Sequence, residues 1–489
     1  MDVQRTRDTD VLVVGGGLVG LTAALLLRHH GLGVTLLERR DRTSAQPKAR
    51  RLHMRSLEVF REMGLAATVR EAARELADHD HMAVGRTLAE SAQLPLWQPP
   101  GGAGEVVEVS PELPCLIAQD VLEPVLRDAA LDAGADIRFG VEVVGLAQDD
   151  HGVVVDLGAR GRLRAPFAVA ADGARSRTRE TLGIARSGRG AVGDPLISIY
   201  FSADLDDVVR GREFNLCTIE HPDAPGVLVS VGGARWVFMT GIAPAERDWS
   251  PVLRTALGVP AADLAVHSVL PWQPEMLVAD RFGAGRVFLA GDAAHVMPPF
   301  AASGANTGIA DVHNLAWKLA AVIGGRAAPG LLASYDAERR PAGWFAAEQS
   351  SMRADDPGGT GPGHAHPYVL AAGGFQYREG ALVGPDVAGV EPIDDFVPTG
   401  RVGTRVPHVW LDAAGMRSTL DESGPGWALA VADDPLRWTC PELPAYRLAA
   451  DFLPAGEALL VRPDDIVAWR GDPAAARAVL RDLLSDSPS

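Results

Sequence analysis

The stretch VLVVGGGLVGLTAALLLRHHGLGVTLLERR, residues 11–40, limits the fold of this chain more than any other segment. Residues 11–14 are a short apolar run of the kind buried in a parallel sheet. Gly15, Gly17 and Gly20 then interrupt the run as GxGxxG, and residues 21–27 read as a helix. A second apolar run, residues 34–37, ends at Glu38. Strand, glycine turn, helix, strand and acid in this order specify a βαβ dinucleotide-binding unit. The first glycine permits the tight turn, the second lets the backbone approach a pyrophosphate, and the third lets helix and strand pack closely. Free N–H groups and the positive end of the helix then hold the phosphates. Glu38 is placed to accept hydrogen bonds from an adenosine ribose. It suits FAD or NAD equally and disfavours a 2′-phosphate.

A chain of 489 residues is too long for one ordinary core and predicts two or three domains. With 47% hydrophobic and 22% charged residues it has the composition of a folded globular protein. The net charge of -17 opposes nucleic-acid and anionic membrane partners. The densest basic run, residues 48–55, lies just after the opening motif, where a cofactor phosphate explains it more economically. Cys115, Cys217 and Cys440 are far apart, which argues against a disulfide scaffold, a dithiol centre or a metal site. The polar start carries no signal peptide and no run of about 18 apolar residues follows, so a cytoplasmic location is expected. No internal repeat is present.

Two later segments carry chemistry. FAVAADGARSRTRE, residues 167–180, is a short apolar strand ending in Asp172-Gly173, with Arg175, Ser176 and Arg179 behind it. GRVFLAGDAAHVMPPFAASGANTGIADVHNLAWKLA, residues 285–320, runs a strand into Gly291-Asp292, then a proline-bearing loop, then a long helix beginning near residues 304–306. A carboxylate at such a strand end can bind sugar-like hydroxyls, and N–H groups at the helix start can stabilise negative charge.

With LLASYDAERRP at residues 331–341, these motifs in this order resemble the single-component aromatic hydroxylases of the p-hydroxybenzoate hydroxylase type, within them most closely the bacterial aromatic-polyketide hydroxylases. The resemblance covers roughly residues 10–341. It implies an α/β fold: a Rossmann-like FAD-binding domain of the glutathione reductase-2 type, an inserted antiparallel-sheet substrate domain and a C-terminal thioredoxin-like domain. The corresponding boundaries are 1–180 with 275–375, then 181–274, then 380–489, the last without CxxC. The cofactor would be non-covalent FAD, with NAD(P)H docking transiently, since a second Rossmann fingerprint is missing, and O2 as co-substrate.

Residue by residue, the resemblance assigns Gly15, Gly17, Leu18, Val19, Gly20, Glu38 and Arg39 to the ADP half of FAD. Lys48, where the family often has Arg, keeps the charge and loses the fork. Arg55, Gln119, Asp172, Gly173, Gly291 and Asp292 are further cofactor contacts. Pro299, Gly304, Ala305 and Asn306 would border the isoalloxazine ring. Ala301, Ala302 and Ser303 stand where many members have GGQG.

Alternating apolar segments between the DG and GD motifs suggest antiparallel strands forming one wall of the substrate pocket. Tyr200, Trp236, Phe238 and Met239 are candidate lining residues, of which alternation sends only half inward; Pro298 and Phe300 join them. DDPGGTGPGHAHP, residues 355–367, reads as a linker or mobile loop. GTRVPHVWL, GWALAVADD and GEALLVRPDDIVAWRG read as short strands among Ala-rich helices.

The implied reaction is NAD(P)H-driven hydroxylation of a phenolic, polycyclic, polyketide-derived aromatic through a flavin C4a-hydroperoxide, on a monomer or homodimer. No catalytic base is assigned: His53, His295 and His313 fall in the motifs, and His295 reads as a packing residue. A Baeyer–Villiger or ring-rearranging oxygenase is the alternative on the same scaffold. A non-catalytic FAD-binding accessory protein is the alternative of another class. A flavin halogenase is disfavoured because the chain lacks WxWxIP and its two lysines, Lys48 and Lys318, fall in or beside the FAD motifs.

Overall fold

The computed structural model of the chain describes residues 9–95, 109–241, 244–356, 361–365, 369, 371, 373, 375–384, 399–448 and 452–485. The opening apolar run forms the strand Val11–Val14, buried throughout, paired in parallel with Val34–Glu38 and Phe167–Ala170. Six strands make this sheet, in the order Gly283–Ala284, Val287–Leu289, Phe167–Ala170, Val11–Val14, Val34–Glu38, Asp136–Phe139. Only the Gly283–Ala284 edge pairs antiparallel. Strands apolar on both faces need cover on both. Val11, Val13 and Leu36 pack under the helices Leu18–His29, Gln119–Asp132 and Ser303–Ile323. Leu12, Leu37 and Val287 pack on the other side against Val153 and Val155 of an antiparallel meander, Gly145–Asp149, Gly152–Asp156 and Arg162–Ala165.

A second, seven-stranded sheet has the order Ala265–Trp272, Leu196–Ser202, Arg235–Thr240, Gly226–Ser230, Leu216–Ile219, Met82–Gly85, Ala92–Gln93. It is antiparallel as the alternation predicts, except where Leu216–Ile219 pairs in parallel with Met82–Gly85. Its last two strands come from well upstream, between the opening motif and the DG motif. One face carries Ile199, Phe201, Trp236 and Phe238 against the helix Ser250–Leu257.

A four-stranded sheet lies at the carboxyl end, in the order Ala445–Arg447, Ala428–Val431, Ala458–Val461, Val467–Gly471, followed by the helix Ala476–Leu484. GTRVPHVWL makes only the isolated bridge of Arg405 with Ile466 and that of Trp410 with Ser418. Pro407 has no N–H to offer a ladder. GEALLVRPDDIVAWRG is a hairpin that turns at residues 462–465, with Asp465 at φ 59°.

The helix Ala333–Asp355 continues through Pro341. The segment read as a linker starts where this helix stops, and its residues 357–360 and 366–368 lie outside the described residues. Buried charges join the four-stranded sheet to the first body. Glu338 takes Arg462 at 2.8 Å and Lys318 at 2.8 Å, while Asp465 takes Arg55 at 2.9 Å. Among the described residues no helix is long and apolar enough to cross a membrane.

Candidate functional site

Between the six-stranded and seven-stranded sheets runs one cleft of about 2510 Å³. At one end are Gly15, Gly17, Leu18, Val19, Glu38 and Arg39; at the other are Tyr200, Leu216, Val237, Met239 and Trp272. Gly15 sits at φ 107°, and a Cβ there would lie 2.3 Å from the Ala171 carbonyl oxygen. A Cβ on Gly20 would lie 1.9 Å from the Gly15 oxygen, so Gly20 serves helix–strand packing behind the cleft. A Cβ on Gly17 would meet only the Glu123 and Arg40 side-chain ends, at 3.7 and 3.9 Å, in the space a pyrophosphate needs.

Glu38 is buried, and its carboxylate accepts the Gly16 N–H at 2.6 Å and the Arg40 N–H and Nε at 2.9 Å. Burial would raise its pKa, but the bonds from Arg40 and Gly16 outweigh it and the net shift is downward. Glu38 is therefore an anionic acceptor at the strand tip.

The GD loop is positioned from below. Asp311 accepts the Gly291 N–H at 3.0 Å, His295 Nε2 pairs with it at 2.7 Å, and Arg339 Nε donates to it at 2.9 Å, all fully buried. His295 is thus committed to packing. Gly291 lies under Val19, where a Cβ would come within 2.8 Å of Cγ2, so it is a packing position and Asp292 alone of the pair faces the cleft. Asp292 is open to the cleft but otherwise deep in protein, and this desolvation raises its pKa. In the DG motif, Asp172 Oδ2 accepts the Thr178 N–H and hydroxyl at 3.0 and 2.9 Å. Asp172 Oδ1 is buried with no hydrogen-bond partner among the described residues. Arg179 is buried and donates to the carbonyls of Ala174 and Ala293, tying the DG loop to the GD loop.

Lys48, Gln119, Gly173, Pro298, Pro299, Phe300, Gly304 and Ala305 all line the cleft. Arg55 and Asn306 do not. Arg55 turns away, at 2.9 Å from both Glu58 and Asp465. Asn306 acts as a staple: its Oδ1 accepts the His53 N–H at 2.8 Å, and its Nδ2 donates to the carbonyls of Arg51 at 3.0 Å and Ala302 at 2.7 Å. That staple holds an uncommon turn. Ala301 and Ala302 have φ of 70° and 53°, the left-handed region that costs an L-residue roughly 1–2 kcal/mol. The two alanines thus take up the backbone path that glycines would adopt without strain.

On the seven-stranded sheet, period two sorts the four aromatic and methionine candidates. Tyr200 and Met239 face the cleft with Val237 between Phe238 and Trp236 in sequence. Trp236 and Phe238 are buried on the opposite face, Trp236 donating from Nε1 to the Ala203 carbonyl at 3.0 Å. The structure therefore withdraws these two from the pocket wall.

Several residues that hold the site were not singled out in the sequence. Glu123, fully buried, accepts the Leu18 N–H at 3.1 Å, the Ser44 N–H at 2.6 Å and Gln119 Nε2 at 2.7 Å, clamping the helix start. The only signal was an acid on the apolar stripe of its own helix. Asp311 and Arg339 sat within the recognised motifs without a role.

An open cradle at Gly17, an unpartnered Asp172 oxygen and the Asp292 carboxylate facing the cleft fit an elongated dinucleotide whose far end abuts an apolar wall. The chain matches the FAD binding domain family over residues 8–350 and the aromatic-ring hydroxylase C-terminal family over residues 399–487. It is 40% identical to tetracenomycin B2 monooxygenase-dioxygenase of Streptomyces olivaceus, across 97% of this chain and 98% of the relative. It is 36% identical to tetracenomycin A2 monooxygenase-dioxygenase of Streptomyces glaucescens, across 98% of this chain and 96% of the relative. Among solved structures it is similar to aklavinone-11 hydroxylase in a ternary complex with FAD and aklavinone, with TM-score 0.87 and 30% identity, covering 98% of this chain and 100% of that one.

Proposed function

Because the chain belongs to the FAD-binding aromatic-ring hydroxylase family, we propose that it is an FAD-dependent, NAD(P)H-consuming monooxygenase that hydroxylates a polycyclic, polyketide-derived phenol. One observation carries this reading: a single cleft connects the glycine turn to the apolar wall of Tyr200, Val237 and Met239, so a dinucleotide and an aromatic substrate would meet inside it. FAD, once reduced by NAD(P)H, supplies the activation of O2 for transfer of one oxygen atom to the ring. Gly15, Gly17, Leu18, Val19, Glu38, Arg39, Lys48, Gln119, Asp172, Gly173 and Asp292 would hold it. Pro299, Gly304 and Ala305 would border its ring system, with Gly20, Gly291 and Asn306 supporting the loops from behind. Tyr200, Met239, Pro298 and Phe300 would pack on the substrate.

The polypeptide's own work is to exclude water and fix the approach of the aromatic ring. We divide the chain into an FAD unit at 1–180 and 275–375, a substrate unit at 181–274 to which the hairpin at residues 82–93 adds two strands, and a C-terminal unit at 380–489. The last has strands in the order two-one-three-four with the first pair parallel and the others antiparallel, which supports the thioredoxin-like assignment. A cytoplasmic monomer or homodimer acting on a small aromatic molecule fits this reading.

The test is direct. Purified protein should bind FAD, and a screen of polycyclic phenols should find one that accelerates NAD(P)H oxidation and O2 uptake and yields a product heavier by one oxygen atom. FAD binding without substrate-stimulated turnover across such a screen would overturn it.

A further inference from the structure

Arg51 lies on the two-residue strand Arg51–Leu52, whose Leu52 is buried in the main core, so alternation sends the arginine to the other side, into the cleft. Its neighbour Arg50 is already engaged: its guanidinium donates to the Asn215 side chain and carbonyl and to the Ser230 carbonyl on the seven-stranded sheet. Arg353, which also lines the cleft, is held by the backbone and side-chain oxygens of Gln349 and by the Ala365 carbonyl. Arg51 differs from both. Among the described residues its guanidinium has no hydrogen bond and no ion pair; the opposite charge it senses, Asp80, acts only over a distance. Arg50 and His53 feel the same guanidinium from its own segment, and Tyr200 stands in the cleft wall.

A half-buried guanidinium beside apolar walls is costly to leave without a partner. Burial pushes the Arg51 pKa down, in line with that cost. We propose that Arg51, whose neighbour Arg50 ties this segment to the seven-stranded sheet beside Leu216, is an anion receptor of the cleft, taking a ring-borne oxygen anion, phenolate or carboxylate, of the polycyclic aromatic. This rests on the hydroxylase reading above. A bound phenol would lose its proton to solvent more readily beside this cation, and its ring would be oriented by the planar fork. His53 does not compete for that proton, because burial and Arg51 lower its pKa to about 4.

The test uses the FAD-loaded protein and begins with its FAD content, which separates failure of the hydroxylase reading from failure of this one. The holoenzyme is then titrated with 1,8-dihydroxyanthraquinone, read by its phenolate absorbance. The bound phenol should ionise about one to three pH units below the free compound. Arg51→Met should abolish the shift and weaken binding of the anion by about tenfold to a hundredfold, while Arg51→Lys should keep part of both. Anthraquinone-2-carboxylate against neutral anthraquinone tells a carboxylate partner from a phenolate: in the first case the carboxylate probe loses more in Arg51→Met. Should Arg51→Met not fold, Arg51→Gln carries the same comparison. Equal titration in wild type and variant, with anionic and neutral probes equally affected, overturns the proposal. So does a changed flavin midpoint potential with unchanged probe titration, which would give Arg51 to the cofactor.

Discussion

Glu338→Gln is expected to loosen the attachment of the C-terminal unit. The Glu338 carboxylate is fully buried and accepts five donors: Arg462 Nη1 and Nη2 at 2.8 Å each, Lys318 Nζ at 2.8 Å, Asn314 Nδ2 at 2.6 Å and the Ala381 N–H at 2.8 Å. With Asp464 it balances the two buried cations, Arg462 and Lys318. An amide keeps the volume but removes one negative charge and turns an NH2 toward donors. Breaking one member of a buried charge set costs about 3–5 kcal/mol, and the donor–donor contact places this case at the upper end. Trp317 lies 5.6 Å from Trp427, centroid to centroid, and Arg462 stacks 5.3 Å from Trp317, so tryptophan fluorescence reports on the joint. Urea unfolding followed by that signal should show an early transition in the variant. Replacing Arg462 as well, in Glu338→Gln/Arg462→Met, should recover part of the loss by restoring the charge balance. A loss below about 1 kcal/mol with an unchanged fluorescence transition would refute the reasoning that this carboxylate bears the joint.

Adjacent residues on the seven-stranded sheet should separate cleanly: Phe238→Ala should cost about 3–5 kcal/mol of stability, while Met239→Ala should leave stability nearly intact and raise the substrate KM, measured by denaturation and steady-state kinetics. Ala301→Gly should stabilise the protein by about 0.5 kcal/mol, since relief of the left-handed strain slightly exceeds the added chain entropy; destabilisation would mean the turn is not strained. Burial lowers His30 and His53 to about 4 from an ordinary 6.5. Between those values the unfolded chain binds more protons than the folded one, so stability should fall as pH drops from 6.5 toward 4, by up to about 3 kcal/mol per histidine. His30→Gln and His53→Gln should each flatten that slope in urea melts at stepped pH.

The glycine turn was legible because its physics is local: Gly15 needs a positive φ and Gly20 a close approach, and both requirements are written within six residues. Alternation likewise foretold that half of Tyr200, Trp236, Phe238 and Met239 face inward, but the register that selects Tyr200 and Met239 is set by the neighbouring strands and by a helix fourteen or more residues beyond Trp236. The family resemblance made Arg55 a cofactor contact. Its partner, Asp465, is 410 residues away, and nothing near Arg55 signals that pairing. Glu123 and Asp311 stayed silent for the same reason: each is a buried acid most of whose donors lie on other segments, Leu18 and Ser44 for Glu123 and Gly291, His295 and Arg339 for Asp311. The turn at Ala301 and Ala302 departed from local propensity, and contacts visible in three dimensions show how it is held: Asn306 Nδ2 donates to the Ala302 carbonyl and His53 Nε2 pairs with the Ala301 carbonyl at 3.0 Å.

The most direct test of the whole account is FAD titration of the purified chain alongside Gly15→Ala, in which a Cβ would stand 2.3 Å from the Ala171 oxygen. The wild type should take up one FAD per chain with quenched flavin fluorescence, and the variant should lose that uptake while keeping its folded circular dichroism. A wild-type chain that binds no FAD, or a variant that binds it as well as the wild type does, would contradict the claim that this cleft is built around the dinucleotide.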